Sequence, residues 1–163
     1  MADPLSLLQA SLDAGATSEG DRLDAVLLSS LDQAATTAAR DAILVRMETL
    51  TEDPRCPRAL SGMDLDEAAI ERLIDFADEF DHSMTRVEIG KLLATNGEVE
   101  DGVAVLIETL RFSDTEAAGV ESAAALVGLD DEDIDDGLRD AAASSKFPAV
   151  RAAAADALSS RDR

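Results

Sequence analysis

Residues 138–158 read Leu-Arg-Asp-Ala-Ala-Ala-Ser-Ser-Lys-Phe-Pro-Ala-Val-Arg-Ala-Ala-Ala-Ala-Asp-Ala-Leu. Ala and Leu are the strongest helix formers, so both alanine-rich runs favour helix. The run breaks between Ser145 and Pro148. Serine hydroxyls there can cap a helix, and proline, with a fixed φ and no amide hydrogen, suits a first helical turn. The stretch therefore predicts a helix, a tight turn and a second helix.

The same frame recurs upstream. Leu73, Leu106 and Leu138 stand 33 and 32 residues apart, and Leu93, Leu126 and Leu158 follow them by 20. Thirteen residues after each anchor come Arg86, Gly119 and Arg151. Leu27 fits as a fourth anchor, with Arg40 and Met47 at the same offsets. Sixteen residues on stand Ile43, Ile89, Ser122 and Ala154. Apolar residues at the anchor, plus one and plus four make one helical stripe, with Arg139 off pattern. Those at plus 16, plus 17 and plus 20 make a second. A single pair cannot bury both stripes, whereas stacked pairs can. The frame predicts pairs at 21–33 with 36–50, 66–80 with 83–95, 100–112 with 115–128, and 133–144 with 148–159. The turns fall at Ala34–Thr37, Asp81–Ser83, Ser113–Thr115 and Ser145–Pro148. Leu5, Leu8 and Leu12 share one face of a further helix, giving an N-terminal cap over 1–20. The expected fold is all-α: a short α-solenoid of about four helix pairs plus the capping helix, one domain over 1–163.

Phe147–Leu158 resembles the second, or B, helix of a HEAT repeat, especially the short class named after phycobilisome lyases. That class reads Pro-x-Val-Arg-x-x-Ala-Ala-x-Ala-Leu, and Pro148, Val150, Arg151, Ala154, Ala155, Ala157 and Leu158 match it. The third unit keeps Ala123, Ala125 and Leu126, with Gly119 where arginine is usual; the first two keep Arg40 and Arg86. Family members often carry an aspartate six residues before the arginine, whereas Asp81 lies five before Arg86. The resemblance spans 66–159 and, more loosely, 21–50. It implies a binding scaffold whose B helices line a concave face. It also implies an alternative, an enzyme or enzyme subunit of the bilin-lyase type.

Charge narrows the solvent and the partner. Asp and Glu number 35 against 14 Lys and Arg, a net charge of −21, and Lys91 and Lys146 are the only lysines. The acid is spread through the chain between apolar positions. In molar salt the Debye length falls to about 3 Å, which screens such self-repulsion and fits a protein adapted to high salt. A polyanion is also repelled by nucleic acid, so no direct nucleic-acid contact is expected. The Met1-Ala2-Asp3-Pro4 start lacks the charge and apolar run of a signal peptide, and no stretch reaches the roughly 18 apolar residues that span a bilayer. The expected setting is cytoplasmic, away from membranes.

The segment 51–65 breaks the period. Leu27 and Leu73 are 46 residues apart, which marks an inserted loop between the first and second units. Arg55 and Arg58 make it locally basic. Its bland reading is a surface loop whose arginines pair with nearby acids; its sharper reading is a partner-binding loop. Nearby cations lower a thiol pKa, but Cys56 has no second cysteine and lies far in sequence from His82, so a plain thiol is expected. His82, the only histidine, is expected as an exposed turn residue. Asp130–Gly137 fails as a calcium loop, because counting from Asp131 puts Asp136 at position 6 and Ala142 at position 12. An acidic first helical turn accounts for it. No phosphate-binding glycine loop or nucleophile elbow is present. These readings assign no catalytic residue, metal or cofactor. The expected function is a non-catalytic scaffold or adaptor that binds another protein, with a homo-oligomeric structural protein as a further alternative. The candidate partner-binding residues are Arg55 and Arg58 in the insertion, and Glu88, Lys91, Glu121 and Asp156 on exposed B-helix positions.

Overall fold

The computed structural model describes residues 33–49 and 53–161. The expected cap over 1–20, the helix over 21–33 and its anchor Leu27 lie outside the described residues. The described residues form eight α-helices and no strand: α1 (Gln33–Thr49), α2 (Arg55–Leu60), α3 (Glu67–Glu79), α4 (Met84–Thr95), α5 (Val99–Phe112), α6 (Glu116–Leu126), α7 (Ile134–Ser144) and α8 (Pro148–Arg161). No described helix is long and apolar enough to cross a membrane.

Local chemistry sets these boundaries. Asp66 opens α3, accepting from the Ala69 amide, and Thr115 opens α6 by accepting from Ala118. The α8 helix starts at Pro148. Gly97 ends α4 at φ 101°, a left-handed conformation that glycine adopts without steric cost. The Glu98 amide then donates to the Leu93 carbonyl, the six-to-one bond of a Schellman ending. The acid run after Asp130 supplies Asp135 and Asp136 to the first turn of α7, where the helix dipole favours them.

Consecutive helices pack as α3 on α4, α5 on α6 and α7 on α8. First members also meet, α5 against α7, and second members meet, α4 against α6 and α6 against α8. The anchors Leu73, Leu106 and Leu138 are all fully buried. So are Ile43, Ile89, Ser122 and Ala154, sixteen residues after their anchors. Fully burying a leucine or isoleucine stabilises by about 1.5–3 kcal/mol, so these frame positions carry much of the fold. The α4 helix lies in the middle: residues Thr85–Gly90, Leu92 and Leu93 are all buried, because α2, α3, α5 and α6 cover it on several sides.

Two frame arginines act alike. Arg86 Nη1 donates to the Phe80 carbonyl at 3.2 Å, and Arg151 Nη1 to the Ser145 carbonyl at 2.6 Å. Both acceptors lie six residues back, on the extended residue that ends the preceding helix. The acceptor of Arg86 is thus the Phe80 carbonyl and not the carboxylate of Asp81. In the third unit Ser113 ends α5 in a similar extended conformation, and Gly119 stands where the arginine would be. A Cβ on Gly119 would sit 2.6 Å from Val150 Cγ2 and 2.8 Å from Ser113 Oγ, so α8 approaches too closely for any side chain there.

Three expectations are corrected. The turn at Ala34–Thr37 is absent, since α1 runs through it from Gln33; threonine and alanine alone do not stop a helix. Arg40 does not match Arg86 and Arg151, because the residue six before it, Ala34, lies inside α1 and not at a helix end; it pairs with Asp66 at 2.9 Å and with Asp41. The inserted segment is no open loop. It holds α2, which packs on α1 and α4 and buries Arg55, Cys56, Pro57, Ala59 and Leu60.

Candidate functional site

The residues proposed from sequence divide sharply. Arg58 comes from α2, Glu88 and Lys91 from α4, and Glu121 from α6. The fold joins them in one ion-paired strip. Arg58 Nε lies 3.1 Å from Glu88 Oε1, the same oxygen lies 3.3 Å from Lys91 Nζ, and Lys91 Nζ reaches Glu121 Oε1 at 3.0 Å. Charges alternate along it: plus, minus, plus, minus. A shallow cleft of about 200 Å³ opens beside it, lined by Pro57, Arg58, Ser61, Glu88, Lys91, Leu92 and Thr95.

Electrostatics hold the strip in place. Burial works against the Lys91 charge, but the hydrogen bond to Glu121 and the field of Glu88 and Glu121 outweigh it, so the ammonium is held above its usual value. Glu88 was expected on an exposed helix position and is instead buried, at 7% exposure, because α2 covers that part of α4. Its two cationic neighbours compensate a carboxylate taken out of water. Arg58 and Lys91 keep their side chains 47% and 36% exposed, so the strip presents cations outward over a buried carboxylate.

Arg55 and Asp156 stand apart. Arg55 is only 5% exposed, and its guanidinium donates to Asp53 through Nε at 2.8 Å as well as through Nη2. Burial would raise the Asp53 pKa, yet these bonds win and hold the carboxyl below its usual range. Arg55 therefore fastens the start of α2 and is not part of an accessible face. Asp156 is exposed on α8, and no ion pair among the described residues ties it to the strip.

Cys56 is the plain thiol expected, whereas His82 is less exposed than expected. Cys56 is buried, and its thiol is pushed up to about 12, first by burial and then by Asp53, against the opposing pull of Arg46 and Arg55. Flanking cations do not activate it. His82 is half-buried, its ring edge-on to Phe112 with centroids 5.6 Å apart and Nε2 3.5 Å from Glu108 Oε1. Its carbonyl accepts from the Asp114 amide at 3.2 Å, which links the α3–α4 turn to the α5–α6 turn. Arg86 pairs with the same Glu108. No group of three or more His, Cys, Asp or Glu side chains among the described residues is arranged to hold a metal ion.

One surface escaped the sequence reading. Between α5 and the start of α7 lies a groove of about 500 Å³. Carboxylates of Glu100, Asp131 and Asp133 line it, with Ile107 and Phe112 among its apolar lining. Phe112 is 61% exposed. Its signal was present in the sequence: it lies six residues after the anchor Leu106, on neither apolar offset of that helix, so a large aromatic there has no core role to explain it. Comparison with protein-family models, curated proteins and solved structures finds no match to this chain.

Proposed function

We propose that this chain is a protein-binding scaffold built as a short stack of HEAT-like helix pairs, and that Arg58, Glu88, Lys91 and Glu121 form part of its contact face. The observation that carries the reading is the strip itself. An insertion outside the repeat frame folds as α2 and lays Arg58 beside the B-helix charges of α4, which α6 continues. Outward cations set against carboxylates give the alternating pattern that favours a complementary partner and disfavours wrong ones. The equivalent reach of Arg86 and Arg151, and the packing of second members on second members, support the repeat reading.

The test is affinity capture from lysate at native salt with the wild type and with the Arg58→Glu, Lys91→Glu double variant. The reading expects a partner retained by the wild type and lost by the variant, with equal helix content by circular dichroism. Retention by both would remove the strip from the contact face. Binding of a tetrapyrrole by the purified chain would favour the bilin-lyase reading instead.

The acid surface extends the proposal to the setting: a chain at −21 adapted to concentrated salt. Screening of dense carboxylates weakens as the Debye length grows from about 3 Å at 1 M to about 30 Å at 0.01 M. The melting temperature should fall as KCl is reduced from molar to millimolar. Equal melting at both would remove the high-salt reading.

A further inference from the structure

The groove between α5 and the start of α7 lies among first-member helices, away from the strip described above. We infer that it docks a cationic segment of a protein partner, one that carries an apolar side chain between its lysines or arginines. The inference rests on the scaffold reading for the existence of a partner and goes beyond it in naming a second surface and the chemistry of its occupant.

Three observations converge. First, Glu100, Asp131 and Asp133 line the groove, and none of them has an ion pair among the described residues. By contrast Arg111, the cation beside them, is already held by Asp140 at 2.7 Å. The opening therefore presents uncompensated negative charge. Second, the groove has an accessible apolar rim: Ala104 is exposed and Phe112 is 61% exposed at its edge, above the buried Ile107. The ring is braced edge-on against His82, so it is presented in a set place. A large exposed aromatic beside carboxylates suits an occupant with both a cation and an apolar group. Third, the size limits the occupant. About 500 Å³ admits a few side chains of a segment and not a folded domain.

This chain cannot readily supply that occupant. A second copy brings another −21 of charge. Residues 1–32 carry Asp3, Asp13, Glu19, Asp21, Asp24 and Asp32 against Arg22 alone. In dilute salt both would be repelled by the carboxylates, and in concentrated salt neither offers a run of lysines or arginines for direct contact. A bare divalent cation would make no use of Phe112. In concentrated salt only direct contact survives screening, so the ion pairs must form inside the groove, where the apolar contact holds the segment.

Fluorescence polarisation with the full chain tests the inference. The probes are a fluorescein-labelled Lys-Leu-Lys-Lys-Leu-Lys peptide and its Lys-Ser-Lys-Lys-Ser-Lys analogue, in dilute and in molar KCl. The leucine peptide should bind the wild type about tenfold more tightly than the serine peptide. Phe112→Ser, and separately the Glu100→Gln, Asp133→Asn pair, should each weaken it about tenfold. The Asp78→Asn, Glu79→Gln pair removes equal charge from exposed positions on α3 and should leave binding unchanged. Equal loss in that control, equal binding of both peptides, or binding indifferent to Phe112→Ser would overturn the groove as the site. A captured partner that survives the groove variants also overturns the groove while leaving the scaffold reading standing. Peptide binding with the expected sensitivities, in a chain that captures no protein partner, upholds the groove and overturns the scaffold reading.

Discussion

The two ends of the described chain solve the same packing problem in opposite ways. The core formed by α1 to α4 is filled with bulk: Ile43, Leu44, Met47, Leu60, Phe76, Phe80 and Leu93 are all buried in one cluster. Toward α8 the buried core has no aromatic and sets Leu106, Leu110, Leu126, Ile134 and Leu138 among the small Ala118, Ala123, Ala141, Ala154 and Ala157. From the α4–α5 contact onward the helices close on one another at glycines. A Cβ on Gly102 of α5 would meet the Ala94 amide nitrogen at 2.6 Å and the Gly90 carbonyl oxygen at 2.7 Å, both backbone atoms of α4. The difference teaches why one end keeps its period and the other does not. Close helix approach requires a small residue at each crossing, so the sequence must repeat. Bulky side chains can fill an irregular space, and an inserted helix such as α2 can join them.

That contrast predicts opposite sensitivities. Shrinking a side chain should hurt the first region most. Phe76→Ala should cost about 3–5 kcal/mol, the usual loss for a buried phenylalanine, measured by urea unfolding. A loss near zero would mean that the bulk is not needed. Enlarging a side chain should hurt the second. Gly102→Ala should cost about 1–3 kcal/mol, the penalty of forcing a group into a packed space, even though alanine is the better helix former. A variant as stable as the wild type would show that α4 and α5 are free to separate, and the contrast would fail.

Smaller effects sharpen the picture around the insertion. The Asp53 carboxyl sits below its ordinary value in the folded chain, so its pairing with Arg55 stabilises the fold above the unfolded pKa of about 3.9. That contribution is lost as pH falls through the lower folded value. Acid unfolding of Asp53→Asn should therefore be less steep than that of the wild type below about pH 4, and an identical acid limb would contradict the pairing. Cys56 behaves in the other sense. Its folded pKa of about 12 lies above an unfolded value of about 8.5, so burial of the neutral thiol stabilises fully below the latter. This contribution declines as pH rises from there toward the former. Alkylation of Cys56 by iodoacetamide should track unfolding of the α1–α4 region. Rapid labelling of the native chain at neutral pH would mean that α2 does not cover the thiol.

Much of the helical frame was legible because burial follows spacing. Leu73, Leu106 and Leu138 are chemically ordinary, yet their offsets alone place them in the core, and all three are fully buried. The candidate contact residues were less legible because a face is exposed only if nothing else covers it. Spacing puts Glu88 on the outer side of its helix, but α2 lies over it, and a six-residue helix has too few turns to show a periodicity of its own. Arg55 misled for the same reason: its charge suggested solvent, while its bonds to Asp53 let it be buried. The groove at Phe112 is a meeting of α5 with the segment before α7, and no single stretch of sequence announces a contact between separate elements.

The central claim is that this chain works by holding another protein on its helix faces, with Arg58, Glu88, Lys91 and Glu121 in contact. Hydrogen exchange of the wild type, alone and with its captured partner in molar KCl, measures this most directly. The account predicts added protection in α2, in the Glu88–Thr95 part of α4 and around Glu121 of α6, while α8 stays unchanged away from the strip. A bound partner that leaves those amides exchanging at their free rates would contradict it.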